Sequence, residues 1–216
     1  MTLPPGAPPD LTLVAQRFAE TSRGVVSFRL HRTFEVHAGF SSRHEDLVLD
    51  GISSDGVVTK VHISSYTIDG KPADAATQAA LTQSDEHPNA SEVFNAPFDS
   101  RYVGAYQYAS AGPQKIAFTS NLQDAAHGNG SFSYDAGGNV LTYTYKPNVL
   151  PPHASSGSVT DRRAEVLPGY WAVTQETQDY KGSYGPFPGA GTVALTYSDF
   201  RRFTDLQSAL QALPNS

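Results

Sequence analysis

The chain has 216 residues, 15 Lys and Arg against 21 Asp and Glu, no Cys and a formal net charge of −6. The lack of Cys excludes a disulfide framework, a thiol nucleophile and thiolate metal or iron–sulfur sites. Net negative charge without a basic run leaves no electrostatic footprint for nucleic acid, and no stretch approaches the roughly 18 apolar residues of a membrane-spanning helix.

The composition is β-rich, with 11 Tyr, 11 Phe, 18 Gly and 15 Pro, and only 17% of residues are charged. A length of 216 suits one large β domain. The expected organisation is a disordered, Pro-rich leader over 1–9 and a single domain over 10–213. The leader has neither the basic nor the apolar region of a signal peptide. It fits a cytosolic protein, or an exported domain whose signal has been removed. Low charge and the absence of Cys favour the second, in the periplasm or secreted.

The first element is an amphipathic helix with Asp10 as N-cap, Leu11, Val14, Ala15 and Phe18 as its apolar stripe, and Gly24 as its stop. The period then changes to two. Val26, Phe28, Leu30, Arg32, Phe34 and Val36 fall on one face, and Ser27, Arg29, His31, Thr33, Glu35 and His37 on the other. That is a long, half-buried antiparallel strand, broken at Gly39 and Ser41-Ser42. Strands over His44–Ile52 and Val57–Ile68 follow, joined by a turn containing Asp55-Gly56. Ala73, Ala75, Ala76, Ala79, Ala80 and Leu81 predict a helix within Lys71–Glu86, then a loop through His87-Pro88-Asn89. Phe94–Phe98, with Pro97 inside it, reads as irregular.

Strands resume at Arg101–Ala109, Lys115–Ser120, Ser131–Tyr134 and Val140–Lys146, the last two flanking the turn Asp135-Ala136-Gly137-Gly138-Asn139. In Val140–Lys146 the spacing groups Leu141, Tyr143 and Tyr145. Val159–Val166, Tyr170–Tyr180 and Thr192–Phe203 complete the set, with an aromatic loop over Gly182–Gly189, and Thr204 caps a final helix carrying Leu206, Ala209, Leu210 and Leu213. The order lacks βαβ alternation, so the fold class is α+β: a curved, antiparallel, incomplete barrel of about ten strands with about three helices covering its concave face.

No catalytic motif stands out. There is no Gly-x-Ser-x-Gly elbow. Glu165 and Glu176 could serve as a glycosidase pair, but nothing selects them. His31 and His37 are some 20 Å apart along an extended strand, too far to share a metal. His44-Glu45-Asp46 lacks a metal-binding spacing. No metal, cofactor or catalytic residue is therefore assigned.

Aromatic residues carry the binding signal. Phe28, Leu30 and Phe34 flank Arg32, which interrupts an apolar face at a cost unless it is paired. Phe118, Phe132, Tyr143, Tyr145 and Trp171 join them as candidate lining of a hydrophobic cavity. The alternative for these aromatics is simple core filling.

The helix at Leu11–Ser22, the meander Val26–Ile68 and the helix at Ala73–Asp85 fall in a distinctive order. Together with Gly130-Ser131-Phe132-Ser133-Tyr134-Asp135, Leu167-Pro168-Gly169-Tyr170-Trp171 and Tyr197–Phe203, it resembles the bacterial outer-membrane lipoprotein carrier and receptor (LolA/LolB-like) superfamily. The resemblance spans roughly Leu11 to Phe203. It implies a half-barrel that carries or senses a lipid or the acyl chains of a lipoprotein outside the cytoplasm, with a transient membrane-associated partner and Arg32 as candidate for the family's cavity arginine. No lipid-anchoring Cys is present. The competing readings are an exported carbohydrate-active or hydrolytic enzyme on a β scaffold, and an interaction module without a small ligand.

Overall fold

The structure, a computed structural model, describes residues 4–86, 94–184 and 187–213. Its frame is one antiparallel sheet. The strands are β1 (Val25–Ala38), β2 (Ser41–Ser54), β3 (Val57–Ile68), β4 (Lys71–Pro72), β5 (Gln107–Ser110), β6 (Lys115–Thr119), β7 (Gly128–Tyr134), β8 (Val140–Pro147), β9 (Ala154–Leu167), β10 (Tyr170–Tyr184) and β11 (Phe187–Phe203). They lie in the order β4-β3-β2-β1-β11-β10-β9-β8-β7-β6-β5. Nearly every neighbour is also next in the chain, as hairpin connections require; the exception is the β1–β11 pair, which brings the two halves together. The edges β4 and β5 do not meet, so the barrel stays open. The helices are α1 (Asp10–Thr21), α2 (Ala75–Glu86) and α3 (Leu206–Ala212).

Several strand ends differ from the spacing. β1 and β2 are separated by Gly39-Phe40 alone, so Ser41 and Ser42 pair rather than break the strand. The expected loop over Gly182–Gly189 is mostly strand, because β10 and β11 remain paired out to Tyr184 and Phe187. Val103–Ala105 is a 3₁₀ turn, not part of a strand. The expected loop at His87-Pro88-Asn89 lies outside the described residues. Asp10 opens α1 without capping it, its carboxylate instead accepting a 2.7 Å hydrogen bond from the Tyr134 hydroxyl. Asp205, not Thr204, caps α3 by accepting from the Ser208 N–H at 2.8 Å. Leu141 is exposed: a register shift between Ser133 and Tyr134 puts Val140 on the buried side.

Cross-strand register defines two faces, since directly opposed residues point the same way. On the inner face two apolar clusters form. The first joins Leu11 and Val14 of α1 to Ile116, Phe118, Phe132, Tyr134, Val140, Tyr145 and Val159, with Phe98 and Tyr106 from the segment before β5. Phe98 is 1% exposed and meets Phe18, Phe132 and Tyr143 edge-on. The second joins Phe28, Leu30, Leu47, Leu49, Val61, Tyr66 and Ala73, with Leu81 of α2 against it. Gly51 is required there, because a Cβ would lie 2.4 Å from the Phe28 ring.

The sequence reading puts all three helices on the concave side, whereas only α1 and α2 lie there. α3 docks on the opposite face, where a 210 Å³ pocket is lined by Ser27, Arg29, Arg201 and Ala209, and where Ile52 is fully buried. Ile52 opposes Ser27 on the outward side of its strand, so an end helix is needed to cover it.

Phe98→Ala is expected to cost about 3–5 kcal/mol, since it empties a packed aromatic site beneath α1. Urea denaturation followed by circular dichroism measures this; a loss below about 1 kcal/mol would show that the segment before β5 does not close the core.

Candidate functional site

The two clusters leave a strip of the inner face between them, across β1, β11, β10 and β9. The register aligns one transverse rung from strand to strand: Tyr66, Leu47, Arg32, Leu195, Glu176, Asp161, Tyr143, Phe132 and Ile116. The next rung holds Glu45, Phe34, Val193, Gln178, Val159, Tyr145, Gly130 and Phe118. The first rung is apolar at its flanks and polar at its centre, while the second is mostly apolar, with Gln178 near its middle and Glu45 at one end.

The central side chains remain accessible. Arg32, Phe34, Val193, Leu195, Glu176, Gln178 and Tyr143 all keep intermediate exposure, with Tyr143 and Leu195 also packed against the first and second clusters. Among the described residues Arg32 has no hydrogen-bond or ion-pair partner. The Tyr180 hydroxyl donates to Gln178 Oε1 at 3.2 Å, and Gln178 Nε2 donates to Glu176 Oε1. Glu176 in turn faces Asp161 across the β9–β10 ladder.

Asp161 is 2% exposed, and its Oδ1 has no hydrogen-bond partner among the described residues. Burial, reinforced by the negative charge of Glu176, holds its carboxyl far above the usual carboxylate range. Burial raises the Tyr143 and Tyr197 hydroxyls as well, with Asp161 and Glu176 adding to the effect. One rung thus contains a proton-retaining carboxyl, a second carboxyl, and an unpaired guanidinium two strands away, roughly 10 Å in strand spacing.

Arg163 lies one inward position along β9 from Asp161. Its guanidinium donates to the Trp171 carbonyl at 2.8 Å and sits 4.6 Å from the Phe18 ring centre, so it clamps α1 to the sheet by a cation–π contact. Burial pulls it down to about 10.

The candidate lining residues separate into distinct groups. Phe118 and Phe132 are 1% exposed, packed under Phe94, Phe98 and α1. Tyr145 is stacked on Phe94, ring centres 3.7 Å apart. Phe28 and Leu30 belong to the second cluster, beside Tyr197 and Phe200. Arg32 and Phe34 lie on the strip between the clusters, and Tyr143 packs at the margin of the first cluster against Phe94 and Phe98. Trp171 is half-buried and outside both clusters; its backbone anchors Arg163.

Phe94 and Phe98 carry no strand or helix periodicity, so sequence patterning missed them. Asp161 and Arg163 lie in Thr160-Asp161-Arg162-Arg163, which reads as a solvated charge run; only their alternation with Val159 hints at an inward face. The outer face is polar: His31 Nε2 lies 2.8 Å from Asp46 and Arg29 Nε lies 3.0 Å from Asp50.

No protein-family model matches the chain, and no curated protein is significantly similar to it. Its fold is an incomplete antiparallel barrel with helices on its faces, and several solved structures show a distant similarity to it. A LolA superfamily protein from Nitrosomonas europaea is 11% identical, covering 93% of this chain and 96% of its own, at a TM-score of 0.41. An outer membrane lipoprotein-sorting protein domain from Vibrio parahaemolyticus is 12% identical, covering 91% and 93%, at 0.46. A DUF1329 family protein from Desulfovibrio piger is 12% identical, covering 95% and 98%, at 0.46.

Asp161 supplies a pH test. Its folded form keeps a proton that the unfolded chain releases near pH 4. Its contribution is therefore complete below that pH and is lost as pH climbs toward the raised folded value. Asp161→Asn removes this dependence without changing shape. The variant should melt higher than the parent above neutral pH, with the gap closing toward pH 4. Melting temperatures that run parallel across this range would show that Asp161 is not held protonated.

Proposed function

We propose that the protein binds an amphiphilic ligand, a lipid or a protein-linked acyl chain, along the open strip, with the acyl chain on Phe34, Val193 and Leu195 and the polar head against Arg32. The observation that supports this most directly is Arg32 itself. A half-buried guanidinium among apolar side chains, with no protein partner among the described residues, is costly unless something else pairs with it. The position of the strip, between two filled aromatic clusters, limits the ligand to a narrow chain rather than a bulky ring system. In this reading the protein is a carrier or sensor rather than an enzyme. It works outside the cytoplasm, as the resemblance implies, and passes its ligand to or from a membrane-associated partner. Among the described residues no helix is long and apolar enough to cross a membrane.

The carboxyl pair Asp161 and Glu176 favours a second reading, a hydrolytic or carbohydrate-active enzyme, because two facing carboxyls are what glycoside cleavage uses. The burial of Asp161 argues against it, since an acid that is 2% exposed does not reach a glycosidic oxygen.

Dansyl-undecanoic acid, whose fluorescence rises in an apolar site, tests the binding reading. The protein should take up both the acid and its methyl ester. Arg32→Gln should weaken the acid roughly tenfold and leave the ester unchanged, the loss expected for one charge-assisted hydrogen bond. Leu195→Trp should block both by filling the strip. Absence of uptake by the parent protein, together with a ligand-free mass in native mass spectrometry, would overturn the binding reading.

A further inference from the structure

Beyond the Arg32 row the strip continues along the strands toward the β1–β2 turn. There β1 turns Phe34, Val36 and Ala38 inward, and β11 opposes them with Val193, Gly191 and Gly189. All six keep intermediate exposure, and none belongs to either apolar cluster. The strands on either side carry polar groups that satisfy one another. On the β2 side, Glu45 pairs with Arg43 at 2.7 Å and accepts a hydrogen bond from the Tyr66 hydroxyl at 2.7 Å. On β10, the Tyr180 hydroxyl donates to Gln178, which donates to Glu176. The result is an apolar lane two strands wide between self-paired polar margins, with the Arg32 guanidinium at its start.

Gly191 is the residue in this lane that the fold does not explain. It lies inside β11, paired with Val36 on one side and Tyr180 on the other, and neither ladder shifts register there. Its φ lies outside the left-handed region that favours glycine. A Cβ built on it would meet the Glu35 carbonyl and the Phe34 ring at 3.4 Å, an ordinary contact distance. A glycine inside a strand weakens the sheet, and where neither a bulge nor a positive φ requires it, it marks a close approach to the backbone. Beside Val36 it opens a notch in the floor of the lane, and the next pair, Ala38 and Gly189, keeps that floor low as far as the turn.

We propose that this lane measures the hydrocarbon chain of the ligand, and that Gly191 makes the room that admits a long, unbranched one. From Arg32 to Ala38 the lane runs about 20 Å at the rise of an extended strand, the length of a straight saturated chain of about sixteen carbons. Gly191 lies about 13 Å along it, level with about the tenth carbon of a chain headed at Arg32. The inference rests on the ligand reading of the strip and adds to it the class of chain.

Isothermal titration calorimetry with octanoic, dodecanoic and hexadecanoic acids tests it on the parent protein, Gly191→Ala and Gly191→Leu. The parent should bind hexadecanoic acid on the order of a hundredfold more tightly than octanoic acid, as successive methylenes leave water. Gly191→Leu should keep its affinity for octanoic acid within about twofold and lose roughly tenfold or more on hexadecanoic acid, because the leucyl side chain fills the notch. Gly191→Ala should fall between the two on hexadecanoic acid. It should melt no lower than the parent, since its Cβ fits the strand and the unfolded chain loses the freedom of glycine. Arg32→Gln should weaken all three acids alike. Four results would overturn the inference: equal affinity of the parent for the three acids, an equal loss on all three in Gly191→Leu, parental affinities in Gly191→Leu, or a lower melting temperature for Gly191→Ala. In each of these the ligand reading stands if Arg32→Gln still weakens uptake, whereas a parent that takes up none of the acids removes both.

Discussion

The hydrogen-bond ladder that holds β5 to β3 in step, through the β1–β11 pair, is the constraint from which the rest follows. Because opposed residues in an antiparallel pair share a face, a register kept across many strands brings distant parts of the chain into single transverse rows. Arg32, Leu195, Glu176, Asp161 and Tyr143 come from five strands and meet only because no slip intervenes along that rung. Slips do occur elsewhere, among them those at Ser27/Arg29, Val48/Leu49, Val173/Gln175, Lys181/Gly182 and Ser133/Tyr134, and they sit below the strip or beyond it. A one-residue slip of β10 would turn Glu176 outward and dissolve the polar centre.

The two ends of this row are filled in different ways. Over β5 to β9 the aromatic side chains stack on Phe94 and meet Phe98 edge-on, both from irregular backbone, while α1 seals the cluster from above. Over β1 to β3 the covering is lighter: Tyr197 and Phe200 of β11 fold over Phe28, and α2 contributes Leu81. α1 is fixed by separate contacts along its length, with Asp10 to Tyr134, Arg17 to Asn139 at 3.0 Å, and Phe18 over Arg163. These differ in kind, from a neutral hydroxyl donor to a desolvated cation, so no single change in solution conditions releases the helix.

Much of the frame was legible in the sequence. The alternation from Val26 to Val36, the Ala-rich run before Glu86 and the Gly-rich turn at Asp135–Asn139 each carry a local physical signal, and each formed the expected element. Arg32 stood out because it broke its own alternation, and the structure leaves it facing the open strip. What could not be read were the features set by pairing rather than by pattern. Leu141 has the right spacing to join Tyr143 and Tyr145, but a register shift turns it outward. Asp161 and Glu176 become neighbours only through the β9–β10 ladder, and the charges around Asp161 mimic a solvated strand. Phe94 and Phe98 have no period at all; they are in the core because the chain returns over the sheet there.

The unequal lengths of the strands have a further consequence. The central strands β1, β2, β10 and β11 run to between 14 and 17 residues, whereas the edges β4 and β5 have 2 and 4. An open sheet exposes unpaired backbone at both margins, and a long margin would template the addition of further chains. Here β4 pairs only with Thr67 and Ile68, so residues 57–65 of β3 form an edge without a partner strand among the described residues, while the other margin is the four-residue β5. What opposes the addition of a further chain along that longer edge is the exposed Lys60 and the two register irregularities of β3 against β2.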